Sequence, residues 1–191
     1  MKKVIKYIIS SLFVLLVLPL YILFLLGRPI FKDSFFASFS QFLSLFPGKT
    51  GSYLRVAFYR NAMTSCHTNV VISFASLFSQ QDIEIEEGVY IGPQCNIGCC
   101  KIGRNSLIAS GVHIMSGKNQ HNFDDLSIPI QQQGGYIEKI SIGEDCWVGN
   151  GSLIMANIGK QCVVGAGSVV VSDVPDFSIV VGNPAKLVKK R

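Results

Sequence analysis

Residues 142–170 read IGEDCWVGNGSLIMANIGKQCVVGAGSVV, and this stretch decides the fold. A large aliphatic recurs every six positions at Ile142, Val148 and Ile154, then at Ile158, Val164 and Val170. A small residue follows four places later at Cys146, Ser152, Cys162 and Ser168. The same beat runs upstream through Ile85, Ile91 and Ile97, and through Ile102, Ile108 and Ile114. Val89, Cys95, Ser106 and Val112 hold the offset places there. An amphipathic helix repeats every 3.6 residues and a half-buried strand every two, so a period of six fits neither alone. It fits a chain wound into a prism, one short strand and one corner per side, with stacked coils about 4.8 Å apart. The segment Ile154-Met-Ala-Asn-Ile158 is two residues shorter than a full repeat, which marks a local irregularity in the last coil.

The beat stops between Ser116 and Lys139, a polar segment holding His121, Asp124, Asp125 and Gln131-Gln132-Gln133. A loop of that length inside a compact repeat is either functional or disordered. Of the three histidines, His67 carries no motif and His113 sits inside the beat, so both read as structural; His121 stands directly after the break.

Outside the repeat the chain divides into an anchor (1–32), an amphipathic helical region (33–68) and the coil domain (69–191). Tyr7 to Leu26 is an unbroken run of 20 uncharged, mostly apolar residues flanked by Lys2, Lys3, Lys6, Arg28 and Lys32. At about 1.5 Å per residue such a helix is about 30 Å long, one hydrocarbon thickness. Spanning the bilayer and lying on one leaflet, with a kink at Pro19, both remain open at this point. Asp33 or Ser34 caps a helix reaching Phe46, and Ser52–Met63 forms a second, with Leu54, Ala57, Phe58 and Ala62 on its apolar side. These helices either close the open end of the stack or lay their phenylalanines in the lipid interface. The basic tail after Val174-Pro175 reads as helical.

Composition narrows the function. The 191 residues are 49% hydrophobic and 15% charged, with a net charge of +5 gathered at the two ends. That suits a membrane surface or a phosphate-bearing ligand; no basic run with interleaved aromatics points to nucleic acid. The six cysteines form no CxxC pair, so no metal is expected, and Cys95, Cys146 and Cys162 read as reduced buried fillers. No H-x4-H pair supplies the ligands of a zinc carbonic anhydrase.

The repeating Ile-Gly steps, Trp147-Val148-Gly149, Gly165-Ala166-Gly167-Ser168 and Gly182-Asn183-Pro184-Ala185 resemble the hexapeptide-repeat acyltransferases, nearest the sugar O-acetyltransferases of envelope polysaccharide biosynthesis. The resemblance covers residues 69–190. It implies a mainly β chain, a left-handed parallel β-helix, a homotrimer and acetyl-CoA as donor. The handedness comes from the family alone, since the general crossover rule gives the opposite hand. It further implies His121 as general base on the extruded loop, oriented by Asp124 or Asp125, with Asp124 carried forward. Trp147, Asn150, Gly151 and Ala166 would line the CoA arm, and Lys186 and Lys189 would meet its phosphates. The acceptor side falls at Gly92 and Gln94 beside Trp147; Gly92 stands where relatives carry an asparagine. A nucleophilic Cys146 lacks a base motif. The expected activity is O-acetylation of an envelope glycan or its lipid-linked precursor at the inner membrane, the coil facing the cytoplasm where acetyl-CoA is found. N-acetylation of an amino sugar or amino acid, and a non-catalytic membrane scaffold, are the alternatives.

Overall fold

The computed structural model describes residues 2–191, with side chains from Ile9 onward. The side chains of Lys2, Lys3 and Lys6 lie outside the described residues. Helix α1 (Lys2–Ser44) breaks at Lys32, where φ is 46° and ψ −129°; Pro19 and Pro29 sit within it. The break therefore lies at Lys32 and not at Pro19. Asp33 spends its carboxylate on the first coil, where Oδ1 accepts the Gln81 backbone N–H at 3.0 Å, and Ser34 Oγ donates to Phe31 O at 2.6 Å. Helix α2 (Gly48–Ala62) follows.

The coil then begins. Its first turn holds β1 (Ser65–Cys66), β2 (Val71–Ile72) and β3 (Leu77–Phe78). The second holds β4 (Ile83–Ile85), β5 (Tyr90–Ile91) and β6 (Asn96–Ile97). The third holds β7 (Cys100–Ile102), β8 (Leu107–Ile108) and β9 (His113–Ile114). After the extruded arm come β10 (Ile140–Ile142), β11 (Trp147–Val148) and β12 (Leu153–Ile154), then β13 (Val163–Val164) and β14 (Val169–Val170). β15 (Ser178–Val181) and β16 (Lys186–Lys190) close the chain.

Strands stack into three faces. The first face is β1-β4-β7-β10, continued by parallel bridges from Ile142 to Ile158 and on to Val174. The second runs β2-β5-β8-β11-β13-β15 and the third β3-β6-β9-β12-β14. All these pairings are parallel, so the architecture is a parallel β-helix, as the six-residue beat requires. Each beat residue points inward: Ile85, Ile91, Ile97, Ile102, Ile108, Ile142, Val148 and Ile154 are all buried. Full burial of such a side chain contributes roughly 1.5–3 kcal/mol.

The small offset residues fill the corners and bond across coils. Ser106 Oγ donates to Gly143 O (2.8 Å) while accepting the Cys146 N–H (3.0 Å). The Cys146 thiol donates to Gly159 O (3.0 Å), the Cys162 thiol to Pro175 O (3.2 Å), and Ser152 Oγ to Gly165 O (3.0 Å). A serine or cysteine is thus small enough for the corner and polar enough to satisfy a carbonyl of the next coil. All six cysteines are free and buried, as fillers should be.

The short Ile154–Ile158 segment lies at the corner from the third face to the first. It recurs at Val170–Val174, and an Asx ladder spans it: Ser141 N–H donates to Asn157 Oδ1 (2.8 Å) and Asn157 N–H to Asp173 Oδ1 (2.9 Å). It is therefore a regular short corner rather than an irregularity of one coil, and it lies away from the corner described below.

The helices close the open end of the stack. Phe36, Phe39, Leu43, Ala57, Phe58, Tyr59 and Ala62 join one core with Ile72 and Phe78, while Phe42 and Phe46 stay exposed. Arg55 is fully buried: Nε donates to Ile72 O (3.0 Å) and Nη1 to Leu43 O (3.0 Å) and Phe46 O (2.8 Å). One side chain thus caps the end of α1 and ties it to the first coil.

The tail is a strand, not a helix. After Gly182-Asn183-Pro184 the chain reverses, and β16 pairs antiparallel with the edge that β15 leaves open. That edge satisfies the tail's backbone groups more readily than an isolated five-residue helix could satisfy its own.

Candidate active site

One corner of the prism, between the second and third faces, carries a continuous line of small and polar residues. Backbone hydrogen bonds stack it coil on coil: Gly111 N–H to Pro93 O (2.9 Å), Gly151 N–H to Ser110 O (3.0 Å) and Gly167 N–H to Asn150 O (2.8 Å). Gln94, Asn150, Gly151 and Ala166 all lie on this line and are exposed. Trp147 stands outward on β11 beside it, about half exposed, in register with Leu107 and Val163. Lys186 and Lys189, both exposed on β16, pair with Val181 and Ile179 at its far end. Space beside Gly151 is open, so a thin ligand arm could approach the backbone there.

Gly92 is on the same corner but buried. A Cβ there would come within 2.7 Å of Ser110 N and 2.8 Å of Ala109 C, so the coil above occupies the place of any side chain. The glycine is explained by coil stacking.

At the near end of the line lies a cavity of about 540 Å³ between α2 and the first two coils. Lys49, Ser52 and Tyr53 form one wall, and Phe74, Tyr90 and Pro93 the other. Tyr90 and Pro93 bracket Gly92 and adjoin Gln94, so the cavity sits beside the two positions assigned to the acceptor. The α2 wall was missed by sequence reasoning, because it joins residues far apart along the chain.

The arm leaves from a different corner, after Ser116 on the third face. Its two limbs pair through Glu138 N–H to Ser116 O (3.0 Å), Tyr136 N–H to Asn119 O (2.8 Å) and Asn122 N–H to Gly134 O (3.0 Å). His121 lies within this ladder and is exposed; a Cβ on Gly135 would meet its backbone N at 2.8 Å, so the limbs touch there. At the tip, Gln133 Nε2 donates to Asp125 O (2.7 Å) and Ile128 O (3.1 Å). Asp125 Oδ1 accepts from Ser127 N–H (2.8 Å) and Oγ–H (2.6 Å), which hold its carboxyl below the usual carboxylate range. Among the described residues, neither Asp124 nor Asp125 hydrogen-bonds His121, and no hydrogen bond of the arm reaches the second-to-third corner.

The arm is rooted by Lys139. Its Nζ lies 2.6 Å from Asp82 Oδ1 and 2.7 Å from Glu84 Oε1. The other histidines sit elsewhere. His113 faces outward on the third face in register with Asn96 and Leu153, exposed rather than enclosed. His67 Nδ1 accepts the Asn69 N–H at 3.0 Å and shapes a turn. The Cys146 thiol is buried, and burial pushes its pKa up to about 11, so it is a poor nucleophile. Among the described residues no group of three or more His, Cys, Asp or Glu could hold a metal.

Family models match both halves of the coil. Bacterial transferase hexapeptide (six repeats) matches residues 82–115, and hexapeptide repeat of succinyl-transferase matches 139–172. A probable acetyltransferase of Mycobacterium tuberculosis is 39% identical over 93 residues, 48% of this chain; the match spans only 30% of that protein. Among solved structures, AntD, an N-acyltransferase from Bacillus cereus seen with dTDP-4-amino-4,6-dideoxyglucose and coenzyme A, superposes with TM-score 0.59 at 22% identity. It covers 69% of this chain and 74% of its own. A maltose O-acetyltransferase from Clostridium difficile 630 gives 0.57 at 23%, covering 88% of each chain. A hexapeptide-repeat-containing acetyltransferase from Vibrio cholerae gives 0.53 at 21%, covering 83% of this chain and 92% of its own. At these identities the solved structures share the fold. Two segments of the coil thus match hexapeptide-repeat models of bacterial transferases, and the coil they lie in has the fold of these solved structures.

Proposed function

We propose that this chain is a membrane-associated acetyltransferase that moves an acetyl group from acetyl-CoA to a sugar hydroxyl of an envelope glycan or its lipid-linked precursor. The observation that carries the reading is the single corner. It runs from a cavity beside Gly92 and Gln94, past Trp147, Asn150, Gly151 and Ala166, to Lys186 and Lys189.

These residues fit an extended donor. Small residues admit a thin arm against the backbone, and exposed lysines suit phosphates as point charges. Acetyl-CoA supplies the activated acetyl group as a thioester. A sugar hydroxyl is a weak nucleophile at neutral pH, and a neutral imidazole of ordinary pKa ~6.5 can take its proton as the oxygen attacks the carbonyl. The C–S bond then breaks, and the imidazolium returns the proton to the departing thiolate. His121 is the base in this scheme. Asp124, solvated on the arm, is the carboxylate that orients it once the arm is docked.

A homotrimer completes the site. The arm leaves one corner of its own coil while the donor line occupies another, so the arm of one subunit serves the line of the next. Apolar side chains left exposed on the second face (Val71, Leu107, Trp147) and on the arm (Phe123, Leu126) support such docking. The apolar N-terminal helix supports attachment to the inner membrane, with the coil on the cytoplasmic side where acetyl-CoA is found.

The test is transfer from radiolabelled acetyl-CoA by the full chain in membranes. Label is expected on sugar as a base-labile ester. Label only as base-stable amide would replace O-transfer by N-transfer, and no binding or turnover of acetyl-CoA would contradict the enzyme reading.

A further inference from the structure

The apolar part of α1 is long enough to cross a bilayer, yet it does not stand free of the folded domain. Helix α2 packs across it. Arg60 Nη1 reaches Ser10 Oγ at 3.4 Å, the Phe13 and Tyr53 rings stack at 5.3 Å, and Tyr21 OH donates to Asn61 O at 3.2 Å. Phe24 is wholly buried, edge-on to Phe58 at 5.5 Å. Beyond Arg28 and Lys32, Asp33 holds Gln81 of the first coil. From Ser10 to Phe24, about 21 Å at ~1.5 Å per residue, the helix is therefore held against α2, and just past the break at Lys32 the chain is joined to the first coil.

The other side of the same helix has no protein partner. Leu12, Leu15, Leu16, Leu23, Leu26 and Ile30 are all more than half exposed. One side thus meets protein and the other is left apolar, which accounts for a sequence apolar all round. If the helix stood across a bilayer, Arg60, Asn61 and the first coil would be drawn into hydrocarbon with it. Each buried cation alone costs about 2.5–3.5 kcal/mol at mid-membrane on insertion scales. If it lies flat, the leucine stripe enters one leaflet while Arg28, Lys32 and Arg60 stay at the level of the headgroups.

We infer that the N-terminal apolar helix is an in-plane anchor seated in one leaflet, with its N-terminal end and the catalytic coil on the same side of the membrane. This rests on the membrane-associated reading above and sharpens it. Tyr53, which stacks on Phe13 of the anchor, is also a wall of the cavity beside Gly92 and Gln94. An in-plane helix therefore sets that cavity at the bilayer surface, where an amphiphile with its sugar at the headgroup level is presented without leaving the membrane. A free sugar needs no such placement.

The experiment uses full-length protein in bacterial membranes, with Lys3→Cys and, at an exposed position of the coil, Lys160→Cys made separately; the native thiols are all buried. Flotation of membranes on a density gradient comes first. Intact spheroplasts and inverted inner-membrane vesicles are then treated with a membrane-impermeant maleimide. The in-plane anchor gives labelling of both cysteines in inverted vesicles and of neither in spheroplasts. Labelling of the two cysteines from opposite sides would overturn the in-plane anchor while leaving membrane attachment intact. Failure of the protein to float would instead overturn the membrane-associated reading on which it rests.

Discussion

Lys139 Nζ sits 2.6 Å from Asp82 Oδ1, joining the root of the arm to the first residue before the second coil. The same ammonium lies 2.7 Å from Glu84 on β4, and Asp82 also accepts from Thr64 Oγ1 at 2.8 Å. The hydrogen bonds from Lys139 and Thr64 hold the Asp82 carboxyl below its ordinary 3.8. Burial works against the Lys139 ammonium, but Asp82 and Glu84 outweigh it and raise its pKa above 10.5. A depressed carboxylate adds stability above its unfolded pKa and loses it as pH falls through the folded value. Lys139→Met should therefore lower stability by up to about 1 kcal/mol at pH 7, as partly exposed pairs do. In thermal melts that difference should shrink as pH falls below 3.8, and a difference that persists there would assign the effect to packing.

Arg55 gives a larger prediction. Its guanidinium satisfies three carbonyls at once, and burial lowers its pKa. Arg55→Leu leaves Ile72 O and Phe46 O without this donor, while Leu43 O keeps the Phe46 N–H at 3.4 Å, and each carbonyl left unpaired costs about 1–3 kcal/mol. Denaturant titration should show a loss of at least about 2 kcal/mol. Arg55→Lys should recover little of it, since a single ammonium cannot span the three positions as the planar fork does.

Substitution at Gly92 separates stacking from recognition. Gly92→Ala pushes a methyl into Ala109 and Ser110 of the next coil. Overpacking of this kind costs about 1–3 kcal/mol. The melt should fall, with any loss of turnover following the loss of folded protein. A variant of unchanged stability but altered acceptor preference would return Gly92 to direct acceptor contact.

The basic tail predicts a salt-dependent donor affinity. Lys186→Ala with Lys189→Ala should raise KM for acetyl-CoA severalfold and flatten its dependence on ionic strength, leaving kcat nearly unchanged. Dephospho-CoA thioesters, which lack one phosphate, should discriminate less between the variant and the parent chain.

The coil was legible in the sequence because its signal is local and repeated. Ile108 and Val148 point inward for the same reason that the beat places them, and Ser106 and Cys146 are small because each shares a corner with the next coil. Gln94, Asn150, Gly151 and Ala166 are singled out by the family resemblance alone, and the register of the coil sets them on one corner. What could not be read are relations between distant segments. Arg55 belongs to no motif, and only the docked helices bring Leu43, Phe46 and Ile72 to it. The cavity wall of Lys49 and Tyr53 has the same origin. The tail Lys186–Lys190 lacks a helical signal strong enough to overrule the open edge of β15, and that edge exists only in the folded coil. The short corner at Ile154–Ile158 was visible as a missing pair of residues, but its side of the prism depends on the order of the faces.

The arm ties the account together, since His121 has its proposed role only if the arm delivers it to the donor line. The most direct measurement is single-turnover acetyl transfer by His121→Ala beside its equilibrium affinity for CoA. The rate should fall about 10²–10⁴-fold, the usual contribution of a positioned general base, with CoA affinity within about twofold of the parent chain. Transfer at the parental rate in a variant that binds CoA normally would contradict the role of His121 and with it the proposed mechanism.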